Sequence, residues 1–413
     1  MNIRGTLEKL EVVFGVLTLL LSTESFILLI PHALRQLFWL SVYGITAILL
    51  VARWKTFIEV AGRAKLLWLL IGIVLLSVTW SDSPSATVRQ SIALMGTTFF
   101  GLYLSTRYTL KEQLRLLGWV FGIAVVLSFV FAIALPSYGL QGGQSWQGIY
   151  HHKNLLGRIM VLSTIVFLLN AQSSKTYRWV SWGGMGLSIV LLILSNSKTS
   201  LALFLLLLAL LWVYRILRLY YKLAVPVLSV ALVMAGGAFL IAIAQAETVV
   251  GAAGKDLTFS GRTDLWDLVI PKIYNRFWFG HGYGGFWLGW SGESADIWFL
   301  ETWLPKHSHN GYIDLWLDIG FVGMVVFALG MLFVLYRATL WVSLTRTPEY
   351  LLPLAFLNFV LLYNLTESVW LLQNTLFWIF YVTTICNRLE PPEPPSPPVP
   401  LAFAGGWSDE DVW

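Results

Sequence analysis

The sequence predicts an all-α polytopic membrane protein of about twelve transmembrane helices, with one long outside loop that carries short helices. Three observations predict this. Of 413 residues, 57% are hydrophobic and only 12% charged, whereas a soluble chain carries about 25% charged residues; mean hydropathy is +0.72. Apolar runs recur at about 11–31, 37–52, 66–80, 91–105, 116–135, 156–171, 178–194, 200–216, 223–245, 312–336, 350–365 and 369–386, each near the roughly 20 residues that cross a bilayer core. The basic residues alternate between the connections. One set holds Arg53, Lys55, Arg63, Lys65, Arg107, Lys111, Arg115, Lys175, Arg178, Arg215, Arg218, Lys222 and Arg337, among others. The other, the long loop aside, holds only Arg35, Arg89, Lys153, Arg158 and Lys198. The richer set is expected in the cytoplasm.

These features exclude a soluble enzyme, a secreted disulfide scaffold and a nucleic-acid binder. Cys386 is the single cysteine, so no disulfide framework or cysteine-based metal site can form. The net charge of +5 reads as the positive-inside rule rather than as affinity for nucleic acid. The first run contains Glu24 and has no small-residue cleavage site after it, so it reads as a signal anchor. Residues 1–390 form one transmembrane domain on this reading. Residues 391–413, which begin PPEPPSPPVP, form a disordered cytoplasmic tail, because proline repeats support neither helix nor central strand.

The outside loop, about 246–308, holds Trp266, Trp278, Trp287, Trp290, Trp298 and Trp303. Such rings suit the headgroup layer, or a platform for a sugar or lipid chain. Within it, SGRTDLWDLVIPKI (260–273) reads as a short amphipathic helix with Arg262 at its entrance, Asp264 and Asp267 in its first turns, and Pro271 limiting its length.

Four polar clusters face outside. HHKNLLGR (151–158) precedes the sixth span, and SNSKTS (195–200) starts the eighth; Arg262 and its neighbours form the third. The fourth is HSHNGYIDLWLDIGFVG (307–323), where His309 and Asn310 open the tenth span. Asn310, Asp314 and Asp318 recur every four residues and form a polar stripe on one helical face, while Gly320 and Gly323 permit close approach of a neighbouring helix. A lone interfacial histidine is ordinarily a solvated or capping residue. Here Lys153, Lys198 and Arg262 lie at the same membrane depth, beside helix N-termini that attract phosphate. The planar fork of Arg262 suits bidentate phosphate binding.

The motifs resemble the O-antigen ligase and O-antigen polymerase superfamily, particularly its exopolysaccharide-production branch. The family's ligase motif is His, then Asn, Ser or Gln, nine residues, Gly, two residues, and Gly, Thr or Tyr; His309-Asn310 followed by Gly320 and Gly323 satisfies it. SWQGIYHHKNLLGR (145–158), SGRTDLW (260–266) and NLTES (364–368) resemble further family stretches, in order. The resemblance implies transfer or polymerisation of glycan repeat units from a polyprenyl diphosphate carrier, by a metal-independent, inverting displacement. It places this at the outer face of a bacterial inner membrane, facing the periplasm. It implies a glycan or lipid acceptor, membrane lipid, no cofactor, no metal, no nucleic acid, and other polysaccharide-export proteins as neighbours. The family's essential histidine maps onto His309 as general base, and its loop arginine onto Arg262 in the substrate site. A second ligase arginine maps onto Lys198, which keeps the charge but not the fork and so favours the exopolysaccharide branch. Lys153, Asn310 and Glu367 complete the expected substrate-binding set, with Glu367 positioning His309 or the acceptor. His307 lies outside the motif position and is expected to be dispensable. Two rival readings are a small-anion transporter or channel lined by the polar stripe, and a structural partner in a glycan-export complex. The outside position of the motifs argues against a transporter, whose site belongs near the midplane.

Overall fold

The computed structural model describes residues 3–216, 260–301, 303–345 and 347–387, together with 231 and 235. Apart from those two positions, the expected span 223–245 lies outside the described residues. So do residues 246–259 of the loop and the proline-rich segment 391–413. The helices are α1 (Ile3–Ser22), α2 (His32–Ala52), α3 (Trp54–Arg63), α4 (Lys65–Leu76), α5 (Pro84–Arg107), α6 (Leu110–Ala134), α7 (Pro136–Gly139), α8 (Lys153–Ser173), α9 (Arg178–Leu194), α10 (Lys198–Ile216), α11 (Ser260–Asn275), α12 (Ala295–Leu300), α13 (Gly311–Leu344), α14 (Leu351–Tyr363) and α15 (Leu376–Cys386). The one described sheet is a hairpin in which Leu140 faces Trp146 and Gln141 faces Ser145, turned by Gly142 and Gly143 in the left-handed region.

Among the described residues four helices are long and apolar enough to cross a membrane: α2, α6, α8 and α13. Four further apolar helices run 10–17 residues, and the chain is an integral membrane protein. Between α2 and α4 the expected cytoplasmic connection is itself the helix α3. It meets the helical segment Lys65–Thr79 at 87°, which is the geometry of an interfacial helix leading into a buried one.

Several elements are shorter than the apolar pattern indicated, because side chains capture backbone groups. Helix α1 stops at Ser22, where the hydroxyls of Ser22, Thr23 and Ser25 bond to the carbonyls of Leu19 and Leu20 and compete with the helical ladder. Residues 364–375 form a loop rather than the start of a span. The Asn364 side chain accepts from the N–H groups of Val369 and Trp370 at 2.9 and 3.2 Å, and Thr375 caps α15. In contrast, α11 runs through Pro271 to Asn275, so the proline does not limit it to the expected length.

The bundle has two ends of different chemistry. At one, Glu11 takes Arg53 and Arg107, and Arg337 donates to the carbonyls of Ile385 and Asn387. Helix α6 starts there beside Gln113, which bonds Asn387. It runs 25 residues, about 37 Å at 1.5 Å per residue, to an opposite end where Phe131 meets Phe26. That second end holds the Arg158–Glu24 ion pair, with the Arg158 guanidinium 5.1 Å over Phe377.

Helix α13 is broken at Gly320, whose φ of 67° and ψ of −172° are not helical. The freed N–H groups of Phe321 and Val322 donate to the carbonyls of Phe277 and Trp278 at 2.8 and 3.1 Å, and the carbonyl of Leu317 accepts from His281 at 2.7 Å. A broken helix in a bilayer is tolerated only with such replacement partners. A Cβ at Gly320 would stand 2.4 Å from the backbone of Trp278. The glycine therefore permits close approach of a loop, not of the neighbouring helix expected. Gly320→Ala is expected to cost about 2–4 kcal/mol from left-handed strain and overpacking, read as a fall in the midpoint of thermal unfolding in detergent.

Candidate active site

The broken helix presents its first turn, with His309 and Asn310 ahead of it, to three other segments. Asn310 caps the helix, its side-chain oxygen accepting from Tyr312 and Ile313 at 3.0 and 3.3 Å. Its oxygen is thus occupied structurally rather than held open for a ligand. Gly311 donates its N–H to the carbonyls of Asn364 and Glu367 at 2.8 and 3.1 Å. A Cβ there would lie 1.9 Å from Asn364 Oδ1, so only glycine lets the 364–368 loop clip onto the helix start. This contact carries Glu367 to His309 across 58 residues of sequence.

Helix α11 brings Arg262. Its apolar face, Leu265, Val269 and Ile273, packs with Phe286, Ile297 and Leu317 in a small core of its own. Trp266 Nε1 donates to the Ser308 carbonyl at 2.9 Å, which holds α11 against the His309 turn. The outcome is a compact cluster. His309 Nδ1 lies 3.2 Å from one oxygen of Glu367, and Arg262 lies 3.4 Å from the other. The side chains of His309, Glu367 and Arg262 keep 23%, 19% and 25% of their exposure, so the cluster is shielded yet reachable.

A carboxylate only accepts, so the bond to Glu367 puts a proton on His309 Nδ1 and leaves Nε2 with its lone pair. Burial pushes the Glu367 carboxyl up. The His309 hydrogen bond and the charges of His309, Arg262 and His307 outweigh this and hold it below the ordinary glutamate value. Glu367 therefore stays ionised through the neutral range. His309 itself has a φ of 54°, a left-handed backbone uncommon outside glycine and often found at functional sites.

The HHK segment lies beside this cluster. His152 caps α8 by accepting from the Asn154 N–H. Burial holds its imidazole below the ordinary histidine value; the Glu367 charge opposes this, and His151, Lys153 and His309 add to it. Lys153 begins α8, its N–H bonded to Gln141 Oε1 at 2.9 Å. Lys198 begins α10, and Ser200 in that turn packs on Gly157 of α8. Its side chain is exposed, and among the described residues no contact links its ammonium to His309, Glu367 or Arg262. The structure thus gathers His309, Glu367, Arg262 and the Lys153 turn, and leaves Lys198 at the margin.

The polar stripe is engaged internally. Asp314 accepts from the Ser308 N–H, Trp287 Nε1 and the Ser368 hydroxyl, and Asp318 from the Gly284 N–H. These bonds splice α13 to its loops, which leaves little of the stripe to line a permeation route. Four loop tryptophans are likewise engaged through their indole N–H, as Trp266, Trp287, Trp298 and Trp303 all donate to protein acceptors. Trp303, 44% exposed, keeps its ring 5.5 Å from that of His309. His307, His309 and Glu367 place donor atoms within 4.8 Å of one another. Arg262 already supplies the positive charge at Glu367, so a divalent cation there would sit against a guanidinium.

A helical integral membrane protein with a shielded His–carboxylate–Arg cluster at one end of its bundle is the class that fold and site define. Residues 183–328 match the O-antigen ligase family; this stretch contains Lys198, Arg262, His309 and Asn310, while Lys153 and Glu367 lie outside it. The exopolysaccharide production protein ExoQ of Rhizobium meliloti (strain 1021) is 26% identical over 331 residues, 76% of this chain and 74% of that protein. Both similarities support an O-antigen ligase-like assignment and a membrane glycan-processing role.

Proposed function

We propose that the protein is a glycosyltransferase that extends an exopolysaccharide chain from repeat units carried on polyprenyl diphosphate. The observation that carries this reading is the His309–Glu367–Arg262 cluster at the start of α13. Glu367 orients the imidazole and stabilises the imidazolium that forms, as a carboxylate does behind a catalytic histidine. His309 Nε2 takes the proton from an acceptor hydroxyl, whose oxygen attacks the anomeric carbon from the face opposite the diphosphate. The bond from that carbon to the diphosphate oxygen breaks, and the carrier leaves with the electron pair. Arg262 and the Lys153 turn at the α8 N-terminus balance the leaving charge, and Lys198 meets the carrier at the margin. The half-exposed face of Trp303 suits the apolar face of the acceptor sugar. No metal is needed on this reading, because cationic side chains and helix dipoles stand where one would act.

Product analysis with a purified polyprenyl-diphosphate oligosaccharide tests the reading. Growing chains with inverted linkage support it; a single transfer to a different acceptor makes the protein a ligase, and no turnover returns the transport reading. The proposal also carries a topology of about twelve spans with the site outside. It draws support from the bundle, where the Glu11–Arg53–Arg107 group occupies the end away from His309. In intact cells a cysteine introduced at Ser291 is expected to react with a membrane-impermeant reagent, and one at Pro397 to be protected. The reverse pattern puts the site on the cytoplasmic face and ends the proposal.

A further inference from the structure

His307 lies outside the family motif, yet its ring centroid is 4.1 Å from that of His309. The backbone N–H of His309 donates to His307 Nδ1 at 3.2 Å. This bond sits at the residue whose backbone is left-handed, with φ of 54°. Its neighbours are pinned from other directions. The Ser308 N–H donates to both oxygens of Asp314, the Ser308 hydroxyl donates to the Asn310 carbonyl, and the Ser308 carbonyl takes Trp266. The His307 contact acts on the peptide that fixes where the His309 ring starts.

We propose that His307 is a positioning residue whose imidazole accepts the His309 N–H, holds that residue's left-handed backbone, and thereby aims the His309 ring between Glu367 and the acceptor hydroxyl. The proposal rests on the reading of His309 as the base. It replaces the expectation that His307 is dispensable. The bond requires an unprotonated Nδ1, and so the neutral His307 tautomer with its proton on Nε2. The groups facing His307 are His309, Asp314, Glu367 and Arg262. Burial, His309 and Arg262 hold its imidazole below the ordinary histidine value, against the pull of Asp314 and Glu367.

The test compares three substitutions in the full-length protein in nanodiscs, using a polyprenyl-diphosphate oligosaccharide as the probe and reading kcat, KM and pH profile. Asparagine places its amide oxygen near the position of Nδ1, whereas glutamine places its amide near Nε2. His307→Asn is expected to retain most of kcat. His307→Ala and His307→Gln are expected to lose about 10–100-fold in kcat with KM little changed, the scale for a displaced catalytic group. His307→Asn also removes one titrating group, so the acid limb of its kcat profile becomes shallower than that of the wild type. A purely structural role predicts lowered stability with an unaltered pH profile in the protein that remains folded. Wild-type kcat in His307→Ala, or His307→Asn as impaired as His307→Ala, overturns the proposal. His309→Gln is run alongside. If it is active, the base reading fails; if it is inactive while His307→Ala is normal, only the positioning role fails.

Discussion

Replacing His309 with alanine is expected to lower the rate of glycan transfer by roughly 10²–10⁴-fold, the range for removal of a general base. The acceptor hydroxyl is a poor nucleophile with its proton in place, and no other group in the cluster can take that proton. Glu367 is engaged by His309 and Arg262 at 3.2 and 3.4 Å. His152 has its Nδ1 occupied in capping α8. The initial rate of chain extension in reconstituted membranes measures the effect. Glu367→Gln should fall in the same direction but less far. It preserves shape while removing the charge that fixes the His309 tautomer and stabilises the imidazolium.

Arg262→Ala is expected to lose most activity, about 10²–10³-fold, the scale for loss of one group that stabilises charge developing in the transition state. Two effects combine. The departing diphosphate loses a charge-assisted bidentate partner, and Glu367 loses the cation that shares its charge. Arg262→Lys should retain a little, because an ammonium restores the charge but not the fork. Lys198→Arg should be tolerated, given its exposed side chain at the margin of the cluster. Rates at saturating donor, compared for the three variants, separate these outcomes. Wild-type turnover by Arg262→Ala would move the clamp elsewhere.

The membrane class was legible from composition and apolar spacing, and the His309 turn from its motif. The sequence also marked Arg262 on a short helix and Glu367 in the 364–368 stretch. What it did not mark is how they meet. The Gly311 N–H that donates to the 364–368 loop, and the Trp266 bond to Ser308, are long-range backbone matters without a local pattern. The break at Gly320 was hidden because an apolar run with a glycine reads as a continuous span. Its left-handed φ depends on the loop carbonyls of Phe277 and Trp278. The polar stripe of Asp314 and Asp318 was visible, but periodicity cannot tell a wet channel from a splice to a loop. The His307 contact was hidden for the same reason, since motif position says nothing about which ring a backbone N–H will find.

On the proposed function, His309 does chemistry on a bound lipid-linked glycan. The most direct measurement is turnover and donor binding by wild type and His309→Gln in nanodiscs, side by side. The variant is expected to bind the polyprenyl-diphosphate oligosaccharide as the wild type does, while its release of free polyprenyl diphosphate under saturating donor falls by roughly 10²-fold or more. Equal release by both proteins, or loss of donor binding in the variant, would contradict it and make His309 a bystander or a substrate ligand.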